Sequence, residues 1–122
     1  MYKQEDNLLP VLNNQVVTAN SSAYKKGMAG IKTLFLSEGT QDTVVYPYVS
    51  EQFGGYAFSS NKSNPITLSF LEDEQYSKDL LGLKTRYDKN ATGGEIIFSS
   101  FPGDHLRFSD AYWDSEVIPL LQ

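Results

Sequence analysis

Two compact apolar runs, "IKTLFL" at residues 31–36 and "EIIFSSF" at residues 95–101, limit what this chain can fold into. Each is short, rich in β-branched and aromatic side chains, and followed by turn formers: "SEGTQD" after the first, Pro102-Gly103 after the second. Both therefore read as strands. A tight turn could join them as a hairpin only if they were close in sequence, and a long excursion lies between them instead. Helical segments flank them, so the order is helix, strand, excursion, strand, helix. That order predicts an α/β fold whose two main strands run parallel and are covered by helices. At 122 residues the chain has room for one domain or a piece of one.

The flanks carry more local signals. Residues from Asn7 to Asn14 read as a short helix broken by Pro10. Ser21 or Ser22 can cap a second helix from about Ala23, with Tyr24, Met28 and Ile31 on one face and Gly27 and Gly30 keeping it short. "TVVYPYV" at 43–49 reads as extended up to Pro47, "SSNKSNP" at 59–65 as a surface connection, and "KTRYDKNATGG" at 84–94 as ending in a turn. Beyond the second strand, Ser109 is a good N-cap, Asp110 meets the positive end of the helix dipole, Phe108 and Trp113 stand at the positions of a hydrophobic staple, and Pro119 marks the helix end.

Composition removes several classes of function. The formal charge is −5 with no lysine or arginine cluster, which gives no footprint for nucleic acid or an anionic membrane. Without cysteine there is no disulfide, no thiolate nucleophile and no Cys-type zinc site. Glu72-Asp73-Glu74 reads as a solvated face or a helix start, and Gly54-Gly55 as a tight turn, since no lysine follows to make a phosphate cradle. No metal and no cofactor are expected. The N-terminus shows no apolar leader, and no run reaches the roughly 18 residues a membrane span needs, so neither a signal peptide nor a transmembrane segment is expected. Three Asn-x-Ser/Thr glycosylation acceptors, at Asn20, Asn61 and Asn90, nevertheless suit a secreted or lysosomal protein. Together the two observations point to a fragment.

The chemistry centres on the single histidine, His105, which stands on the loop just beyond the second strand. In parallel α/β sheets function gathers beyond the carboxyl ends of strands, and Asp42 lies at a comparable place beyond the first strand. A histidine acting as a general base needs a carboxylate on its other ring nitrogen. Asp42 is preferred for that role over Asp104, because neighbours on an extended loop point apart and Asp104 is better placed to tie down the turn. Carboxylate before histidine matches the last two members of the Ser, Asp/Glu, His order of α/β-hydrolases. The nucleophile's G-x-S-x-G motif does not occur, and Ser59, Ser60, Ser99 and Ser100 sit in ordinary loop or strand contexts.

The stretches "SAYKKGMAGIKTLFL", "QDTVVYPYVSEQFGGY", "YSKDLLGLKTRYDKNATGGEIIFSSFPGDHLRFS" and "VIPLL" resemble, in that order, the C-terminal part of palmitoyl-protein thioesterases, with "DLLGLK" and "GDHLRFS" the most specific pieces. The resemblance implies the C-terminal portion of an α/β-hydrolase that removes fatty acyl groups from S-acylated proteins or peptides, in the lysosome or after secretion. Asp42 then looks like the triad aspartate and His105 like the triad histidine. The serine and the oxyanion hole would belong to an N-terminal half that this chain lacks and needs to complete its fold, so the chain alone is expected to be inactive. Residues 1–30 would be the tail of the insertion that builds the acyl groove, while Tyr46, Tyr48, Phe53, Tyr56 and Phe58 read as packing residues. Two other readings stand beside this one: a non-catalytic thioesterase-like binding domain or truncated product, and a general lipase or esterase.

Overall fold

The computed structural model describes residues 8–57, 61, 63–88 and 95–122. In chain order its elements are α1 (Leu9–Leu12), α2 (Ser21–Ala29), β1 (Thr33–Gly39), a 3-10 turn (Tyr48–Gln52), β2 (Gly55–Tyr56), β3 (Thr67–Leu68), α3 (Glu74–Ser77), α4 (Leu83–Tyr87), β4 (Glu95–Phe101) and α5 (Asp110–Tyr112). A wide turn over Trp113–Val117 and a 3-10 turn over Ile118–Leu121 continue α5. β1 and β4 pair with each other and run parallel. The direction is visible in the ladder ends: the Glu95 amide donates to the Lys32 carbonyl where both strands start, and the Thr40 amide to the Phe101 carbonyl where both finish. β2 and β3 form a separate antiparallel pair with Gly55 opposite Leu68.

The second strand lies where its sequence placed it, at Glu95–Phe101. The first does not. It starts at Thr33, leaves Ile31 40% exposed, and runs on through Ser37, Glu38 and Gly39. The turn-forming residues there are overridden because the Thr40 and Gln41 amides find acceptors in the Phe101 and Gly103 carbonyls, which carries the pairing past the apolar run. Residues 43–47 do not form a strand either. Asp42 Oδ1 accepts the amides of Val44 and Val45, and such local side-chain bonds compete with an extended ladder.

By internal contacts the chain divides into two units, Met1–Leu34 with Leu71–Ile96, and Phe35–Phe70 with Ile97–Gln122. In the first unit Leu83 and Pro10 are fully buried and Leu81 is nearly so. Pro10 does not break α1 as its sequence suggested, because it stands in the first turn, where the missing N–H has no partner to lose. α2 starts at Ser21, two residues before the expected Ala23, and Ser21 serves the preceding loop by accepting the Thr18 amide. Asn14 Nδ2 ties two loops by donating to the Ser21 and Leu80 carbonyls at 2.8 and 2.9 Å. The buried Arg86 guanidinium donates to the Glu95 carbonyl at 3.0 Å and to Ala29 at the end of α2, where a cation suits the helix dipole. Asp73 turns the acidic run into a helix start by accepting the Gln75 amide.

In the second unit Leu36, Phe70 and Phe101 are the buried apolar residues. The Phe101 ring packs edge-on to Phe108 at 5.8 Å and against Tyr112 at 5.3 Å. Ser109 caps α5 by accepting the Tyr112 amide, and the staple pair Phe108 and Trp113 stacks at 5.6 Å. The Tyr112 hydroxyl meets Ser37 Oγ on β1 at 2.7 Å and Ser99 Oγ on β4 at 2.9 Å. Gln52 braces the same two strands by donating to the Leu36 and Ser99 carbonyls. These contacts hold the strand ends from which the loops bearing Asp42 and His105 leave.

Candidate active site

Because β1 and β4 are parallel, the loops that follow Gly39 and Phe101 leave from the same edge of the sheet. They approach to backbone contact. A Cβ on Gly39 would lie 2.9 Å from the Gly103 carbonyl oxygen, and one on Gly103 would lie 2.6 Å from the Arg107 carbonyl oxygen, distances at which only glycine fits. Asp104 clasps the two loops together. Its Oδ1 accepts the Thr43 amide at 2.8 Å, the Thr43 hydroxyl at 2.9 Å and the His105 amide at 2.8 Å. The amides of Thr43 and His105 hold the Asp104 carboxyl below the ordinary carboxylate value.

With the loops held so, Asp42 meets His105. Asp42 Oδ2 accepts from His105 Nδ1 at 2.7 Å, while Oδ1 takes the Val44 and Val45 amides at 2.7 Å each. Burial pushes the Asp42 carboxyl upward, but the Val45 amide, the His105 imidazole and the Val44 amide outweigh it, and the group lies below its ordinary value. An ionised carboxylate only accepts, so Nδ1 carries the hydrogen of this bond and Nε2 is the ring nitrogen left free of it. The Asp42 side chain is fully buried and that of His105 is 33% exposed, which is the arrangement of an imidazole oriented from behind and open in front.

A third titratable group stands beside this pair. Glu51, in the 3-10 turn, accepts the Gly39 amide on Oε2 at 2.8 Å, and one carboxylate oxygen each from Glu51 and Asp42 and a ring nitrogen of His105 lie within 4.8 Å of one another. Burial pushes the Glu51 carboxyl up, against the pull of the Gly39 amide, and the Asp42 charge pushes it further. Glu38 is likewise raised, by burial and then by Glu51. Donors this close can also hold a cation, but Nδ1 and Oδ2 are already engaged with each other and Oδ1 with two amides. Sequence reasoning missed Glu51. It belongs to no motif, and only the folding of the 43–52 segment brings it to the pair.

Of the other residues singled out by sequence, those described take part in other contacts. Ser99 bonds Tyr112 and Glu116, Ser100 is exposed on β4, and Ser59 and Ser60 lie outside the described residues. Asn20 and Asn61 are exposed, Asn61 Oδ1 accepts the Ser63 amide, and Asn90 lies outside the described residues. Tyr46, Tyr48 and Tyr56 line an open cleft of about 170 Å³ with Pro47 and Pro65, and Tyr46 is 76% exposed rather than packed. Phe53 ends the 3-10 turn in a left-handed conformation, and Phe58 lies outside the described residues.

The family model described as palmitoyl protein thioesterase matches residues 1–105, a span that includes Asp42, Glu51 and His105. The chain belongs to the palmitoyl protein thioesterase family. This is an α/β-hydrolase family, and the parallel pair β1–β4 with its helices is part of such a fold. Among curated members, the chain is 28% identical over 105 residues to the lysosomal thioesterase PPT2 homolog of Drosophila melanogaster, which covers 86% of this chain and 33% of that protein. It is 29% identical over 102 residues to lysosomal thioesterase PPT2-B of Xenopus laevis, covering 84% of this chain and 32% of the relative. With lysosomal thioesterase PPT2 of Mus musculus it shares 29% identity over 91 residues, or 75% of this chain and 28% of the relative. The chain thus spans about a third of the length of the thioesterases it matches.

Proposed function

We propose that this chain supplies the acid–base part of a thioesterase that removes fatty acyl groups from S-acylated cysteines of proteins. Asp42 is the orienting carboxylate, His105 the general base, and the serine nucleophile is on a part of the enzyme outside these 122 residues. The observation that carries the reading is the 2.7 Å bond from His105 Nδ1 to the buried Asp42, made at the shared end of two parallel strands in a chain of this family. With Nδ1 engaged, Nε2 is the nitrogen that takes the proton from the serine hydroxyl as its oxygen attacks the thioester carbonyl. The thiol leaves with that proton, and an acyl-serine remains. His105 then removes a proton from water, whose oxygen attacks the acyl carbon, and returns the proton to the serine as the fatty acid departs. Asp42 stabilises the imidazolium in both halves.

The lysosomal names of the relatives support the same compartment here, and exposed Asn20 and Asn61 suit a glycosylated protein. Val17, Leu106 and Leu121 are at least 70% exposed, as expected if the remainder of a hydrolase fold covers this portion, and residues 1–30 are its acyl-groove tail. The test is hydrolysis of a palmitoyl-thioester substrate by this chain alone and by this chain with the portion of the Drosophila relative that it does not span, each with a His105→Ala control. Activity that needs both parts and His105 supports the reading. Activity of the chain alone, or none from a well-folded combination, sinks it, and the second result favours a non-catalytic domain.

A further inference from the structure

We propose that Glu51 is a positioning residue of this site: its carboxyl group, anchored by the Gly39 amide beside Asp42 and His105, gains or loses a proton there and thereby sets the charge that the Asp42–His105 pair feels. The inference rests on the thioesterase reading only for its effect on turnover. Its electrostatic core stands on the geometry alone.

The hydrogen-bond inventory leaves room for one proton. Asp42 Oδ1 is filled by two amides, and Oδ2 takes one N–H from His105, which leaves one acceptor site on Oδ2. Glu51 uses Oε2 for the Gly39 amide, so Oε1 is the oxygen left to carry a proton. One oxygen of each carboxyl group and one imidazole nitrogen lie within 4.8 Å of one another around an aspartate that is itself buried. Two ionised carboxylates at that spacing repel, and when a pair shares one proton it resides on the member less well served by donors. Asp42 has three N–H donors and Glu51 has one. As pH falls, Glu51 therefore takes up a proton before Asp42 does, in line with the opposite displacement of the two groups from their ordinary values.

The surroundings sharpen the effect. Glu38 on β1 repels Glu51 as well, Asp42 and His105 face it from the two loops, and Asp104 beside His105 is attracted to Arg107. When Glu51 is neutral, the imidazole sees one adjacent negative charge on Asp42. When it ionises, a second appears, and the imidazolium holds its proton more tightly. Glu51 thus acts on the imidazole through its charge.

His105 is the chain's one histidine, so its imidazole resonances need no assignment. The experiment follows imidazole-labelled His105 by nuclear magnetic resonance across pH in this chain, as wild type, Glu51→Gln, Glu51→Ala and Asp42→Asn. In parallel, it records the pH profile of kcat and KM for the combined enzyme on a palmitoyl thioester. Glu51→Gln keeps an acceptor for Gly39 and a donor for Asp42 but has no charge to gain. The His105 imidazole should then titrate in a single step about one unit lower than in wild type, where Glu51 ionises over the same range and adds its charge, with the acid limb of kcat/KM shifting the same way. Glu51→Ala should show the lowered titration and lose about 10-fold or more in kcat, because Asp42 and the Gly39 amide both lose a partner. Superposable titrations for wild type and Glu51→Gln, while Asp42→Asn moves the same resonance, would overturn the proposal. An unmoved resonance in Asp42→Asn also overturns it, since the pair itself would be absent. If the combined enzyme is inactive, the thioesterase reading falls while the titration still decides the role of Glu51.

Discussion

Replacing Asp42 by asparagine tests the centre of the site, because the structure says which of its bonds would survive. The amide oxygen can still accept the Val44 and Val45 amides, so the loop keeps its turn. The amide nitrogen then faces His105 Nδ1 at the position now occupied by Oδ2, 2.7 Å away, and two N–H groups cannot both donate across that gap. The imidazole escapes by moving its proton to Nε2. Under the proposed mechanism that is the wrong tautomer, since the nitrogen that would accept from the serine now carries hydrogen. Both the lone pair and the charge that stabilises the imidazolium are lost, and the expected cost in kcat is about 10⁴-fold with KM little changed. Asp104→Asn is the internal comparison. Its bonds from Thr43 and the His105 amide all end on Oδ1, which an asparagine oxygen reproduces, so its loss should stay within about 10-fold. The assay is kcat for palmitoyl-thioester hydrolysis by the combined enzyme, with the His105 tautomer read from its imidazole nitrogen resonances. Equal losses for the two variants, or an Asp42→Asn enzyme that retains the Nδ1–H tautomer and most of its kcat, would refute the assignment of Asp42 as the orienting group.

Three further outcomes follow from other contacts. Gly103→Ala places a methyl 2.6 Å from the Arg107 carbonyl oxygen, so the loop holding His105 must shift, and kcat should fall about 100-fold; an unchanged kcat would show that the loops do not need that approach. Tyr112→Phe removes the hydroxyl that links Ser37 to Ser99, which should cost about 1–2 kcal/mol in denaturant unfolding while leaving kcat near wild type. Glu38 is raised by burial and by Glu51, so it binds its proton more tightly when folded; it carries no penalty below its ordinary value, and the full penalty appears once pH exceeds the folded value. Glu38→Gln should therefore raise the thermal midpoint at neutral pH and leave it unchanged well below the ordinary carboxylate value, and a gain of equal size at both would contradict the shift.

Much of the fold was legible because it rests on local periodicity. "EIIFSSF" is a strand at the residues its pattern indicates, Ser109 caps the helix it precedes, and Phe108 stacks on Trp113 as a staple pair should. Two of the failures share one cause. β1 extends through "SEG", and Asp42 bends the segment that "TVVYPYV" alone would extend, because hydrogen bonds from distant or side-chain partners outweigh local preference. Pro10 was misread for a narrower reason: a proline is disruptive or harmless according to where the helix begins, and packing decides that.

For the site itself, residue types and strand pattern already name the groups and the two loops that bear them. One histidine and an aspartate follow two strand-like runs, and a parallel pairing of those runs sends both loops to the same edge. Folding alone settles which carboxylate meets the imidazole. Asp42 and Asp104 are both near His105 in any parallel arrangement, and it is the close passage of Gly39 past Gly103 and the clasp of Asp104 on Thr43 that turn Asp42 to the ring. Glu51 could not have been found without coordinates, since its proximity depends on a 3-10 turn that no residue pattern announces. Charges act through space over a few ångströms, whereas sequence records distance only along the chain.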